Sequence, residues 1–427
     1  MGQNRTSPVP PGQARSGGDY KLLNGWKDIA AFFGKDERTV KRWEKSRGMP
    51  VQRMPGTKGT VFADRHALAA WLNMRGTQPA LDARVLPRVN SGLNGARLPG
   101  VPHEPSTGAR DLYLEGTYLW QKRTRASLTE AVAILEKAVG LDPDYAQAHT
   151  ALAIAHKLAG EYGATTQKLG YIGALEAVER AIALDPALDQ AQTVLANIEF
   201  FWLLQYDRAL RRFEHARRLN PNLALTRHWF AEALLYAGYP REALAEIDQA
   251  QHLDPQSRSI ISAKAYILFT LGKMDISEQM LLKLASNEPD YQMAYKGLAY
   301  LYLARGDGGR YLEFLDRLVN LHPSKSARAI VEAGRKGLSS SGREGMAEAM
   351  LDAARDHAEA GEVPAYGMAH LHALNNDASG AATHLQLALE RYEGDVFDFI
   401  IDPAFKKVRT APPFLKRVTQ MGLPLIA

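Results

Sequence analysis

Four cations packed into one short stretch carry the clearest chemistry in this sequence. Arg38, Lys41, Arg42 and Lys45 lie within eight residues. At about 100° per residue, an α-helix would turn all four away from Val40 and Trp43, which define its buried side. Glu37 and Glu44 would fall near the flank of that apolar stripe. An exposed cationic ridge of this kind suits a helix laid against phosphates in a major groove. Arg53 and, at the tip of a small hairpin with the turn Pro55-Gly56-Thr57-Lys58-Gly59, Lys58 extend the basic surface.

The other constellations are weaker. Gly56-Thr57-Lys58-Gly59-Thr60 lacks the G-x-x-x-x-G-K-[ST] spacing of a phosphate loop and reads as a hairpin turn. His370 and His372 stand two apart on a helical pattern and point to different faces, a poor pair of metal ligands. His149 and His156 share a face, but His156 reads as core or groove lining. Glu390, Glu393, Asp395, Asp398 and Asp402 gather near the C-terminus and read as a solvated, acidic helix end. No Ser–His–Asp elbow, dinucleotide glycine pattern or kinase motif occurs. The expectation is a protein that is not an enzyme and holds no cofactor or metal.

Charge distribution supports a polyanion partner. The net charge is +5, yet residues 1–110 hold 18 Lys+Arg against 8 Asp+Glu, and the remainder is net −5. Residues 21–73 alone carry 11 Lys+Arg and 5 Asp+Glu. A basic module joined to a mildly acidic body is the reading. The chain has no cysteine, which excludes disulfides, thiolate metal sites and thiol nucleophiles. No apolar run reaches the ~18 residues of a membrane span, and the first twenty residues lack a signal-peptide core. A cytoplasmic protein without a membrane partner is expected.

Several elements must position the cations. Residues 1–20 are polar and rich in Pro and Gly, a disordered arm. In 21–73, Trp26, Ile29, Phe32 and Phe33 share a face of a first helix that Gly34 stops. Asp36 caps the cationic second helix. Val51–Met54 and Thr60–Phe62 read as two strands of a wing, and Asp64 caps a third helix with Leu68, Trp71 and Leu72 in the core. Residues 74–108 lack periodicity and form a flexible linker.

From residue 109 onward the chain repeats. A small residue, a large apolar residue and another small one precede a proline at fixed offsets. The sets are Ala131/Leu135/Ala138/Pro143, Ala174/Val178/Ala181/Pro186, Ala209/Phe213/Ala216/Pro221 and Ala243/Ile247/Ala250/Pro255. Weaker copies are Ser277/Leu281/Leu284/Pro289 and Tyr311/Leu315/Leu318/Pro323. The prolines stand 43, 35, 34, 34 and 34 residues apart. Small residues let paired helices approach while the large one fills the groove between them, and proline ends the second helix. Gly238, Gly272 and Gly306 end first helices. Six repeats are firm to about residue 325. Degenerate helical segments at 326–338, 343–360, 364–374 and 378–391, then a C-terminal cap, complete the chain.

This 34-residue helix–turn–helix period resembles tetratricopeptide repeats. The basic module resembles winged helix-turn-helix domains of the mercury-resistance-regulator and excisionase type. The matching stretches are Gly25-Trp26-Lys27-Asp28-Ile29-Ala30, Arg38 through Glu44, Gly48-Met49-Pro50-Val51 with Arg53, and Ala70-Trp71-Leu72. That resemblance implies DNA contacts from Arg38, Thr39, Lys41, Arg42, Arg53 and the wing. The whole chain resembles bacterial proteins that join the two modules, many of which place a membrane span between them; this sequence has none there. No coiled-coil dimerisation helix follows the wing.

The fold class expected is therefore mainly α: a small winged helix-turn-helix domain, a flexible linker and an α-solenoid of helix pairs. A superhelix of repeats presents a concave surface lined by first helices. By register that lining comprises His228, Glu232 and Tyr236, then Ser262, Tyr266 and Phe269, then Lys296 and Tyr300. Such a mixture suits an extended peptide or partner helix. The functional expectation is a transcriptional regulator that binds double-stranded DNA and uses its repeats for a protein partner. The alternative is a non-enzymatic interaction scaffold whose helix-turn-helix module does not regulate transcription.

Overall fold

Helix formation follows the apolar periodicity almost element by element. The computed structural model describes residues 22–33, 35–47, 49, 51–53, 61–64, 103–358 and 360–424. They belong to two units, one within residues 1–97 and one within 98–427. The arm, the turn carrying Lys58, the third helix with Leu68, Trp71 and Leu72, and linker residues 74–102 lie outside the described residues.

The first unit contains β1 (Leu22–Asn24), α1 (Gly25–Phe33), α2 (Glu37–Arg47), β2 (Gln52–Arg53) and β3 (Val61–Asp64). The strands form an antiparallel sheet in the order β1-β3-β2, pairing Leu23 with Ala63 and Arg53 with Val61. The sequence reading had the hairpin strands within a residue or two but missed β1, three residues too short to show a period. Ile29, Ala30, Phe33, Val40, Met49 and Val61 form the buried core, with Trp26, Trp43 and Val51 packed against it. The Phe33 and Trp43 rings meet edge to face at 5.3 Å. Asp36 caps α2 as its type and place dictate: its carboxylate accepts a 2.7 Å bond from the Thr39 amide.

Among the described residues, the second unit is a run of eight helix pairs. They are α3 (Thr107–Gln121) with α4 (Arg125–Leu141), α5 (Ala146–Glu161) with α6 (Gln167–Leu184), and α7 (Asp189–Phe201) with α8 (Tyr206–Leu219). Next come α9 (Ala224–Tyr236) with α10 (Pro240–Leu253), α11 (Arg258–Thr270) with α12 (Met274–Asn287), and α13 (Gln292–Arg305) with α14 (Gly308–Leu321). The seventh pair is α15 (Lys325–Ala358), broken at Ser341 and Gly342, where φ turns to +66°. The eighth is α16 (Ala365–Leu374) with α17 (Ala378–Glu390), followed by 3-10 turns at Gly394–Ile400 and Pro403–Lys406 and by α18 (Pro412–Gln420). The last part of the expected linker already belongs here: α3 begins at Thr107, and His103 Nε2 lies 2.8 Å from both Asp142 carboxylate oxygens.

The repeat columns pack for the anticipated reason. Ala131, Leu135 and Ala138 have no exposure, nor do their equivalents through Ala250. Gly238, Gly272 and Gly306 end first helices at φ of +88°, +75° and +78°, a region a β-carbon disfavours. The sixth copy departs: Leu315 and Leu318 are only half-buried, and Leu312, Phe314 and Val319 fill the core instead. Residues far apart in sequence meet as the superhelix turns, since an Arg258 guanidinium donates to the Lys122 carbonyl at 2.9 Å. Among the described residues no helix is long and apolar enough to cross a membrane.

Candidate functional site

On α2 the cations are not equivalent. Arg38, Arg42 and Lys45 are exposed, whereas Val40 on the opposite side has no exposure. Together with Glu37 and Lys41 they line one shallow strip. Lys41 is engaged within it: its Nζ lies 2.7 Å from Glu37 Oε2 and 5.7 Å from the centre of the Trp26 ring. Glu37 therefore reaches onto the ridge rather than staying at the apolar flank. Thr39 is half-buried, and its hydroxyl donates to Asp36 Oδ2 at 3.2 Å. The Thr39 amide holds the Asp36 carboxyl below its usual range. Arg53 stands in β2 beside Val61 of β3; Lys58 lies outside the described residues.

In the repeat unit, the eight residues expected to line an open groove do lie on first helices, but most face the chain itself. Ser262 is buried and shares a 3.1 Å hydrogen bond with the Tyr291 hydroxyl. Tyr266 is buried and donates to the Met293 carbonyl at 3.0 Å. Phe269 is half-buried. His228 is 3% exposed, with Nε2 3.3 Å from Glu232 Oε1. Burial opposes ionisation of Glu232, but His228, Lys157 and Arg123 outweigh it and hold the carboxyl below the usual range. Lys157, itself buried, caps the Trp229 ring at 4.1 Å and pairs with Glu161 at 2.7 Å.

Tyr236, Lys296 and Tyr300 close on a single acidic residue, Asp398. Tyr236 donates to its Oδ1 at 2.9 Å and Tyr300 to its Oδ2 at 3.3 Å, while Lys296 pairs with both Asp398 and Asp395. Next to it, the Phe397 ring sits among Phe200, Phe201, Tyr206 and Tyr236, at centroid distances of 5.9, 5.1, 6.5 and 6.1 Å. The groove lining of α7, α9 and α13 is thus covered by the 3-10 turn Gly394–Ile400.

That arrangement corrects the acidic cluster. A solvated helix end was expected, yet Asp398 and Asp402 are 8% and 0% exposed. Asp402 accepts from the Tyr366 hydroxyl at 3.0 Å, lies 2.6 Å from His370 Nδ1, and takes the Ala404 amide at 2.9 Å. Glu393 accepts the Ala365 and Tyr366 amides at the start of α16. Only Glu390 and Asp395 remain exposed. The signal was present: Val396, Phe397, Phe399, Ile400 and Ile401 interleave the acids, a pattern that solvent would not favour. His370 also meets the Tyr311 hydroxyl at 2.8 Å, whereas His372 turns to Asp377 and stacks on His384. Arg123, Lys157 and Trp229 were not singled out from sequence, because nothing local marks them.

Burial raises Asp398's carboxyl above its usual range, and Asp395 adds to that; Lys296 and Tyr236 pull the other way without prevailing. Lys296 is held well above its ordinary value, its two carboxylate neighbours overcoming burial. The two directions are compatible, since one ammonium serves two carboxylates. Among the described residues no group of three or more His, Cys, Asp or Glu side chains is placed to hold a metal ion.

Among solved structures, the chain is similar at low identity to several helical-repeat proteins. YrrB, described as a TPR protein with an unusual peptide-binding site, is 18% identical, covers 47% of this chain and 97% of its own, and superposes with a TM-score of 0.32. A tetratricopeptide repeat protein from Parabacteroides merdae is 14% identical over 70% of this chain and 100% of its own, with a TM-score of 0.37. Human IFIT1, solved as a dimer with m7Gppp-AAAA, is 14% identical over 71% of this chain and 72% of its own, with a TM-score of 0.49. No family model and no curated protein matches the chain.

Proposed function

We propose that this chain is a DNA-binding transcriptional regulator, in which residues 21–73 engage duplex DNA as a winged helix-turn-helix domain and the repeat unit engages a protein partner. The observation that carries this reading is the strip on α2: Arg38, Arg42 and Lys45 face outward together while Val40 anchors the opposite side. The role of the cations is to neutralise backbone phosphates, which sets affinity and makes it fall with salt. Arg53 and Lys58 add contacts beside the recognition helix. The basic balance of residues 1–110 draws the module to DNA before any specific contact forms.

Selection of genomic fragments bound by the full chain, followed by sequencing, tests the reading. Enriched fragments are expected, and changing Arg38, Arg42 and Lys45 to Ala should abolish the enrichment. Equal recovery of all fragments by parent and variant would overturn it. A second reading, an interaction scaffold without a regulatory DNA contact, draws support from the number of aromatic and ionic groups the superhelix turns inward. It predicts partner capture by the chain and no fragment enrichment.

A further inference from the structure

The segment covering the groove lining is built like a ligand. Phe397 and Asp398 come not from a repeat helix but from the short 3-10 turn Gly394–Ile400. Asp398 is held by three side chains from two first helices, and Phe397 by four aromatic rings from α7, α8 and α9. Filling space would not require an acid there. A buried ion pair is often no more stabilising than an apolar side chain of the same volume, because both charges lose their hydration. What such a pair does supply is discrimination: an occupant lacking the carboxylate takes from Lys296 the more buried of its two carboxylate partners.

The residues that alternate with this pair pack the other way, into the C-terminal part of the same core. Phe399 joins Phe405 and Phe414 in a triad with centroid distances of 6.2, 5.9 and 5.8 Å. Phe397 and Asp398 face α7, α8, α9 and α13 instead. The segment follows Tyr392, whose ring packs tilted against Trp202 at 4.7 Å and whose φ is +59°, and it begins at the exposed Gly394. Exchange requires the aromatic–acid pair to leave the lining while the triad stays assembled.

We propose that the lining around Lys296 is a receptor for a Phe-Asp element, filled in cis by Phe397-Asp398, and that a protein partner enters by presenting the same aromatic–carboxylate pair in exchange. This stands apart from the DNA reading and holds whether or not residues 21–73 bind nucleic acid. A cis occupant reduces the apparent affinity for a partner to the intrinsic affinity multiplied by the fraction of time the site stands empty.

The probe is a fluorescein-labelled peptide with the sequence of residues 393–402, titrated against the full chain by anisotropy. The variant Phe397→Ala/Asp398→Asn, with its helical circular dichroism retained, should bind the probe about tenfold or more tighter than the parent. Adding Lys296→Ala to that variant should weaken binding again by about tenfold or more, since the probe's buried carboxylate then has no cation. Equal probe binding by parent and double variant overturns the proposal, as does indifference to Lys296→Ala. Where the double variant does not fold, hydrogen exchange of the parent decides. Amides of residues 396–401 should exchange faster with saturating probe, and unchanged protection overturns the exchange mechanism. Probe-independent dimers formed by swapping this segment between copies would identify a second copy as the occupant and overturn the assignment to a partner.

Discussion

Neutralising Glu37 should strengthen DNA binding, an outcome opposite in sign to most substitutions in a binding helix. Lys41 and Glu37 lie 2.7 Å apart with 44% and 49% of their side chains exposed. An exposed i,i+4 pair contributes only about 0.3–0.5 kcal/mol, and a carboxylate in the first turn adds about 0.3–1 kcal/mol through the helix dipole. Glu37→Gln should thus cost the domain roughly 1 kcal/mol and leave it folded. The same change removes an anion from the cationic strip and frees Lys41 for a phosphate. One further phosphate contact steepens the dependence of log K on log salt by about 0.9. Between about 50 and 200 mM salt the variant should then lose roughly 3.5-fold more affinity than the parent, and at the low end it should bind several-fold tighter. Anisotropy titrations of the full chain on a labelled duplex at four or five salt concentrations give the slope directly. Arg38→Ala should shift the slope the other way by a similar amount. An unchanged or shallower slope for Glu37→Gln, with Arg38→Ala behaving as stated, would show that Lys41 stays away from phosphate. If neither slope moves, the assignment of α2 to the DNA interface fails.

Three further outcomes test the repeat unit. Glu199 is 1% exposed and receives Arg208 Nε at 2.7 Å and a two-pronged contact from Arg212 at 2.8 and 3.0 Å. Glu199→Ala should cost about 2–4 kcal/mol in chemical denaturation, short of a fully buried pair because both arginines reach water; a loss under about 0.5 kcal/mol refutes the role. A β-carbon on Gly170 would lie 2.7 Å from the His156 carbonyl oxygen and 2.9 Å from Gly160 Cα, so α5 and α6 must separate. Gly170→Ala should destabilise by about 1–2 kcal/mol despite a helix-propensity gain of about 1, and a raised melting temperature would count against that packing. Asp398's raised carboxyl, faced by Lys296, Asp395, Tyr236 and Tyr300, favours the fold below its unfolded pKa of about 4 and loses that contribution as pH rises through its higher folded value. The melting temperature of the parent minus that of Asp398→Asn should therefore be largest at the acid end and shrink toward neutrality. A difference that grows with pH would overturn the sign.

Much of the second unit was legible because its information is local and periodic. The Ala131/Leu135/Ala138 spacing, recurring ahead of each proline, sets which faces meet, and Gly238, Gly272 and Gly306 mark the turns without reference to distant residues. The seventh and eighth pairs emerge where their degenerate patterns indicate, with the break near Gly342. The cation ridge was readable from angular position alone, since a helix converts spacing into a face. Its internal neutralisation was less so: Lys41 and Glu37 are neighbours on any helix, but which way each side chain turns depends on Trp26 from another element.

By itself the sequence determined the alternation of helices, their pairing, the columns of small residues and the sign of charge on each module. These are properties of a few consecutive residues and a repeat length. Only the tertiary structure decided what the lining faces. A groove position is exposed or covered according to what the superhelix wraps around, and Asp398 reaches Tyr236 across 162 residues of chain. No spacing rule encodes that distance. Asp398, which looks solvated among its acidic neighbours in sequence, is buried once the interleaved aromatic residues enter the superhelix, because burying Phe397 and Phe399 carries the adjacent carboxylate with them, and Lys296, Tyr236 and Tyr300 stand ready to receive it.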